Sequence, residues 1–125
     1  VEDTASVGGR GVHEVLKRGA VERVAEEARV SEEARLVDEL MERVGKEGAA
    51  AYGLDAVQDA VEYGAVEHLL VVDEFLRGHR NEIDPLIEGA EQKGGDVTVL
   101  SSEFEPGQRV DHLGGVAALL RYRLN

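Results

Sequence analysis

The fold of this chain is decided by residues 66–72, which read VEHLLVV. Residues 69–72 are apolar without a break, a pattern typical of a strand that is buried on both faces of a sheet. Two further strands are predicted, VTVL at 97–100 and the apolar segment 116–122. Strands that alternate with helices in this way build a parallel or mixed sheet covered by helices on both faces. The sequence therefore predicts an α/β fold, a three-layer α/β/α sandwich.

Helices are predicted between these strands. Apolar residues recur at helical spacing in 54–63 and in Asn81–Lys93, and glycine closes each segment. Residues 103–112 contain a Pro-Gly pair and then Val110, and Leu113 follows, which indicates a loop that leads into a short helix. Ala49–Tyr52 is a short apolar stretch that is also closed by glycine.

Short helices are predicted ahead of the sandwich. Residues 1–10 are polar and contain glycine, so we expect a loop there. A helix follows and ends at Gly19, and a short apolar pattern continues to Arg29. Ser31 stands before two glutamates, a pattern typical of an N-cap, and begins the clearest helix of the chain. That helix is expected to end near residues 45–48.

The composition excludes several classes of function. The 125 residues carry 26 acidic and 14 basic side chains, so the net charge of −12 repels phosphate and argues against nucleic-acid binding. The absence of cysteine excludes disulfides, a thiolate nucleophile and a structural zinc ribbon. No apolar run approaches the roughly 20 residues that span a bilayer. We expect a soluble, cytoplasmic protein, and the first residue, Val1, suggests a piece of a longer polypeptide.

The basic residues are eleven arginines and only three lysines. An acidic, lysine-poor surface is typical of a protein that works in concentrated salt, where the repulsion between its charges is screened. An ordinary acidic domain is the alternative interpretation.

No catalytic site is predicted. The four histidines lie outside metal-binding spacing, and adjacent carboxylates are expected by chance among 26 acidic residues. The double glycines lack the surrounding residues of a phosphate-binding loop. Ser101 and Ser102 stand at a strand end, where sites often form in α/β sheets, but the sequence places no histidine to activate them.

The most informative candidate surface is the segment Ser101–Arg109, which reads SSEFEPGQR. It places an aromatic residue and a bend at Pro106-Gly107 among charges at a strand end. Phe104 could be exposed as an anchor for another protein, or it could fold back onto the core. The residues alone leave both interpretations open.

Four segments of the chain resemble the C-terminal domain of the Pelota family, ribosome-rescue factors of archaea and eukaryotes that are related to class-one release factors. They are AAAYG (49–53), AVEYGAVEHLLVVDE (60–74), AEQKGGDVTVLSSEFEPG (90–107) and LGGVAALLRYRL (113–124). Residues 1–30 are similar to the end of the family's central domain. Residues 31–125 are similar to its third, C-terminal domain.

The resemblance implies that the third domain has the fold of ribosomal kink-turn RNA-binding proteins. Those proteins place Asn, Glu and Lys at the turn into the helix that corresponds to 54–63. Here the segment 53–59 reads GLDAVQD, with two acids and no base, which argues against RNA binding.

The resemblance also implies partners. The family's domain docks an elongation-factor-type GTPase that delivers the factor to a stalled ribosome, and then the ABC-type ATPase that splits the ribosomal subunits. The resemblance therefore implies that this chain acts in no-go and non-stop mRNA surveillance, without direct nucleic-acid binding or a membrane. The expected contact residues are Glu103, Phe104, Glu105, Pro106, Gly107, Gln108 and Arg109.

The resemblance does not imply an enzyme. A divalent-cation-dependent endoribonuclease has been assigned to the family's N-terminal domain, whose sequence is not in these 125 residues. We therefore expect no catalytic residues, cofactor or metal in this chain. Two alternatives stay open: a kink-turn-type RNA-binding module, and a fragment of a class-one release factor. The apolar residues within 11–29 are expected to fold onto the third domain or to pair two chains.

Overall fold

The computed structural model describes the backbone of residues 7–123 and the side chains of residues 23–123. The chain forms two compact units, one that ends at Glu32 and one that begins at Glu33. The helices and strands, in chain order, are α1 (Val7–Gly45), β1 (Ala50–Tyr52), α2 (Leu54–Glu62), β2 (Val66–Val72), α3 (Asp73–Gly78), α4 (Arg80–Gln92), β3 (Asp96–Leu100), α5 (Glu105–His112) and β4 (Val116–Leu120).

The second unit contains a mixed sheet with the strand order β1-β4-β2-β3. Strand β2 pairs parallel to β3 and antiparallel to β4, while β1 pairs antiparallel to β4. Val71 therefore lies between Val99 on one side and Val116 on the other. The prediction that residues 66–72 form a strand buried on both faces is confirmed, because Leu69 and Leu70 are fully buried on opposite faces.

Helices cover both faces of the sheet. On one face α2 and α4 contribute Val57, Ala60, Ile83, Leu86 and Ala90 to a core cluster. On the other face α5 contributes Val110, and the last part of α1 contributes Leu36, Val37 and Leu40. Each fully buried Leu or Ile side chain contributes roughly 2 kcal/mol through burial. The predicted three-layer α/β/α sandwich is confirmed.

The prediction of separate short helices before the sandwich is wrong. A single helix, α1, runs from Val7 to Gly45 through both Gly19 and Ser31. A glycine inside a helix costs only about 1 kcal/mol relative to alanine, so it ends a helix only when other interactions favour the stop. The surrounding Glu, Arg, Ala and Val residues continue the helix instead. Residues 7–10, which were predicted to form a loop, are helical too, and residues 1–6 lie outside the described residues.

Two short elements are absent from the sequence prediction. Ala50–Tyr52 forms an edge strand, and Asp73–Gly78 forms a helical turn. Both are too short for a periodic pattern to identify them. The apolar residues within 11–29 were expected to fold onto the third domain or to pair two chains. Val24 is 63% exposed, and the side chains of the apolar residues up to Val21 lie outside the described range.

Candidate protein-docking site

The candidate site lies where strands β2 and β3 end side by side. These strands are parallel, so the residues that follow them, Asp73 and Ser101, emerge at the same end of the sheet, where both strands finish. We call residues 101–109 the docking segment. It consists of a tight turn, Ser101–Phe104, followed by the first half of α5. Ends of parallel strands are where α/β proteins commonly place their binding sites.

Asp73 fixes the turn from the neighbouring strand. Its Oδ1 accepts a hydrogen bond of 3.0 Å from the backbone N–H of Ser102 and one of 2.7 Å from the N–H of Glu74. Within the turn, the Glu103 N–H donates to Ser101 Oγ over 3.2 Å, and the Phe104 N–H donates to the Ser101 carbonyl over 3.3 Å. The docking segment is therefore held both by its own hydrogen bonds and by Asp73, the first residue of α3.

The ionised form of Asp73 is favoured in this arrangement. Burial acts to raise its pKa, but hydrogen bonds from the Ser102 hydroxyl and from the backbone N–H groups of Ser102 and Glu74 act against it. The positive charge of Arg77 adds to these, and together they hold the pKa of Asp73 below its usual value. Asp73 is therefore a charged anchor of the turn at neutral pH.

The Pro-Gly pair is part of a helix and does not form the bend that the sequence suggested. Pro106 stands in the first turn of α5, where its missing N–H costs nothing, and both Pro106 and Gly107 are buried. A Cβ on Gly107 would collide with the carbonyl group of Ser101. The Gln108 side chain then donates to the Ser102 carbonyl over 3.3 Å, which ties α5 back to the turn.

Arg109 joins α5 to α1. Its Nη1 lies 2.8 Å from Asp38 Oδ1 and 3.6 Å from Glu105 Oε1. The hydrogen bond to Asp38 is the main cause that raises the pKa of Arg109, and the charge of Glu105 adds to it, while burial acts in the opposite direction. The arginine was predicted as a contact residue, and the structure shows it in an ion pair within the domain.

The seven predicted contact residues differ in how accessible they are. Glu103, Glu105 and Gln108 are exposed, Phe104 and Arg109 are half-buried, and Pro106 and Gly107 are buried. The two buried residues can only shape the surface. Phe104 is half-buried, so neither of the two interpretations of its side chain describes it fully.

The sequence did not identify the residues that support this segment. Asp73 follows a predicted strand, and the rule that parallel strand ends meet at one edge could have placed it beside Ser102. Asp38 lies 71 positions from Arg109, and no local pattern links them. Two of the histidines are also partly covered: His68 Nε2 lies 2.7 Å from Thr98 Oγ1, and His79 stacks on Phe75.

The described residues form neither a metal site nor a membrane-spanning helix. Among the side chains of residues 23–123, no three carboxylates or histidines come together in a way that could hold a metal ion. None of the described helices combines the length and the apolar character that crossing a bilayer requires.

A family model described as eRF1 domain 3 matches residues 30–124. The protein pelota homolog of Natronomonas pharaonis and that of Haloarcula marismortui are each 58% identical to this chain over 132 aligned positions. Both alignments cover 100% of this chain and 37% of the relative, so the chain spans a little over a third of the length of these curated relatives.

Solved structures are similar over nearly the whole chain. The crystal structure of Archaeoglobus fulgidus Pelota is 48% identical, with a TM-score of 0.85 over 96% of this chain and 38% of that one. A model of ribosome-bound archaeal Pelota and ABCE1 is 46% identical, with a TM-score of 0.78 over 100% and 36%. S. cerevisiae Dom34, described as a translation termination-like factor interacting with Hbs1, is 33% identical, with a TM-score of 0.75 over 92% and 34%.

The sandwich fold, the family match over residues 30–124 and the identity to archaeal Pelota proteins agree with one another. The chain belongs to the eRF1 domain 3 family and is of the Pelota type.

Proposed function

We propose that this chain is the protein-docking domain of a factor that recognises stalled ribosomes and promotes their dissociation in no-go and non-stop mRNA surveillance. Its partners would be an elongation-factor-type GTPase and an ABC-type recycling ATPase. The relatives support this proposal, since one is described as ribosome-bound with ABCE1 and another as interacting with Hbs1. Such a role would take place in the cytoplasm, on the ribosome.

The observation that carries the proposal is the rigid presentation of the docking segment. Its exposed residues, Glu103, Glu105 and Gln108, stand on a turn that Asp73 anchors and on a helix that Gly107 brings against that turn. A surface that is already ordered loses little conformational entropy when a partner binds. This favours a docking role over a flexible linker.

The charge of the segment indicates what kind of partner surface it fits. Glu103 and Glu105 are exposed, whereas the nearby arginine, Arg109, is neutralised by Asp38. The exposed face is therefore acidic, and it matches a basic patch on a partner. Charges at the rim of an interface mainly raise the association rate and make it depend on salt.

No reaction step is assigned to this domain. Among the described residues, His68 Nε2 lies 2.7 Å from the Thr98 hydroxyl and His79 stacks on Phe75. We assign neither pair a catalytic role. We propose that the chain binds its partners without cofactor or metal. The nuclease of the family's N-terminal domain is no part of this proposal.

The test is a binding measurement with the cognate elongation-factor-type GTPase. Glu103→Lys and Glu88→Lys make the same change of charge at exposed positions, one in the docking segment and one on α4. We expect Glu103→Lys to weaken binding about tenfold, an effect of the size seen for interface charges, and Glu88→Lys to change it less than about twofold. Phe104→Ala should weaken binding as well.

The same preparation tests the RNA-binding alternative. Asp55 and Asp59 are exposed on α2, where kink-turn proteins contact RNA, so we expect no shift of a kink-turn RNA in a gel at moderate salt. Tight RNA binding with a steep salt dependence would contradict the proposed function. GTPase binding that neither Glu103→Lys nor Phe104→Ala weakens would contradict the choice of surface.

A further inference from the structure

All three tyrosines of the chain lie around one surface depression beside β1. This strand forms one edge of the sheet, and β3, which leads into the docking segment, forms the other. Tyr52, Tyr63 and Tyr122 are 49%, 69% and 50% exposed, although the chain contains only two other aromatic residues. The depression has a volume of 840 Å³, and Tyr52 and Tyr63 both line it. The Tyr122 hydroxyl donates a hydrogen bond of 3.2 Å to the backbone carbonyl of Tyr63, which places the third tyrosine next to the Tyr63 side of the depression.

The depression exists because small residues stand between the larger ones. Ala51 of β1 and Ala56 of α2 line it, and Leu120 of β4 is part of its lining too. Alanines at these positions leave space between the edge strand and the helix, and this space is large enough for an apolar side chain of another molecule. Exposed aromatic rings around an apolar floor are typical of binding surfaces.

The edge strand beside the depression can accept another strand. On either side of β1, the Gly53 N–H donates to the Val116 carbonyl and the Ala49 carbonyl accepts from the Leu120 N–H. Odd-numbered residues in and beside β1 therefore turn their backbone groups toward β4. By the alternation of an antiparallel ladder, the N–H and C=O of Tyr52 turn the other way, to the open side of the sheet. An extended peptide could hydrogen-bond there.

The side chain of Arg43, on α1, holds β1 in place. Arg43 Nη1 donates to the Ala49 carbonyl over 3.1 Å and to the Leu120 carbonyl over 3.0 Å. These two bonds join the start of β1 to the end of β4, so the edge and the depression keep their shape without a ligand. A preformed edge of this kind costs little entropy to bind.

The charges at the rim of the depression favour a basic ligand. Asp55, Asp59 and Glu62 are exposed along one side of α2, and Asp59 lines the depression itself. On the other side Arg121 donates to the Lys93 carbonyl over 2.6 Å, and Arg123 lines the depression. The α2 side thus presents a row of carboxylates next to apolar space.

We propose that this tyrosine-lined edge is a second docking site, which takes an extended, basic segment of a partner protein. The segment adds to β1 at Tyr52, inserts an apolar side chain between Ala51 and Ala56, and places Lys or Arg side chains on the α2 carboxylates. The site does not depend on the proposed function, because β1 and β3 lie at opposite edges of the sheet.

The test uses a peptide of about seven residues that alternates Arg with Leu, a length that covers the edge strand, and a matched peptide that alternates Glu with Leu. Because the chain has no tryptophan and all three tyrosines surround the site, tyrosine fluorescence and ring NMR signals report occupancy directly. We expect the basic peptide to shift the signals of Tyr52, Tyr63 and residues 120–123, and the acidic peptide to shift none of them.

Two charge variants separate a specific site from general attraction to an acidic protein. Asp59→Arg should weaken binding of the basic peptide about tenfold, whereas Asp111→Arg, the same change at an exposed position on α5, should have less than about a twofold effect. Ala56→Leu, which fills the depression at an exposed helix position, should also weaken it. The proposal would be overturned by equal effects of the two charge variants. It would also be overturned by signal shifts centred on residues 103–109, or by a lack of binding at millimolar peptide.

Discussion

The carbonyl group of Ser101 occupies the place where a side chain of residue 107 would begin. Gly107 lies in the first half of α5, and its bare backbone lets this helix pack directly on the turn that follows β3. The contact sets the shape of the docking segment, since it joins the two parts from which the exposed residues project. A glycine in a helix is here required by close packing and not by an unusual backbone angle.

Gly107→Ala should therefore destabilise the domain. A Cβ would press on backbone atoms, which cannot rotate away, so we expect a loss of about 1–3 kcal/mol in the free energy of unfolding, the usual range for overpacking. Urea denaturation followed by circular dichroism measures it. Gly78→Ala is the matched control, since nothing lies near that position and its effect should stay within about 1 kcal/mol. Equal stability of the two variants would contradict the packing argument.

A charge swap tests the ion pair between Arg109 and Asp38. Arg109→Glu places a carboxylate opposite Asp38 and should cost about 0.5–1 kcal/mol, as expected for a partly exposed pair. The double variant Asp38→Arg/Arg109→Glu should regain most of that loss. Thermal melts of the unmodified protein, the two single variants and the double variant give the coupling energy of the pair. If the double variant regains no stability, the ion pair does not contribute to the free energy of unfolding. Arg109→Glu alone is thus a poor probe of partner binding, because it also disturbs α5.

Removal of the Asp73 carboxylate should change how stability depends on pH. Because the folded state lowers the pKa of Asp73, its contribution is complete above the ordinary pKa of a carboxyl group and is lost as the pH falls through the lowered value. Asp73→Asn should cost about 1–2 kcal/mol at pH 7, and the gap to the unmodified protein should shrink in acid. Denaturation from pH 7 to 2 tests this, with the exposed Asp111→Asn as control. A gap that stays constant with pH would contradict it.

Ser31→Ala distinguishes a continuous α1 from two separate helices. Inside a continuous helix the change should alter the free energy of unfolding by less than about 0.5 kcal/mol, because alanine is a better helix former than serine. Loss of an N-cap would cost about 1 kcal/mol. Ser101→Ala is a useful comparison, since its hydroxyl accepts the Glu103 N–H and its loss should cost about 1 kcal/mol. Urea denaturation of both variants measures these free energies. A loss of about 1 kcal/mol for Ser31→Ala would favour two separate helices.

The acidic composition predicts a dependence on salt. The excess carboxylates, which give a net charge of −12, repel one another, and this repulsion is screened as ionic strength rises. Several relatives come from halophilic archaea, which agrees with a protein suited to concentrated salt. We expect the melting temperature to fall when the protein is dialysed from molar salt to dilute buffer. A melting temperature that rises in dilute buffer would leave an ordinary acidic domain as the better interpretation.

Long periodic elements could be predicted because their pattern is local. The apolar run 69–72 and the helical spacing in 54–63 and 81–93 gave elements with nearly the observed bounds. The bend expected at Pro106 was wrong for a related reason: a Pro-Gly pair suits a turn and the first turn of a helix alike, and the packing against Ser101 decides between them.

From the sequence by itself came the longer strands, the helices between them, the sandwich and the acidic character. These depend only on the spacing of residues that are close in the chain and on the overall composition. Only the tertiary structure joined Asp73 to Ser102, Arg109 to Asp38, and the three tyrosines around one depression. Each of these depends on which strands become neighbours and on the path of the chain between distant positions. Contacts of that kind are set by the packing of the whole domain, so no local pattern carries them.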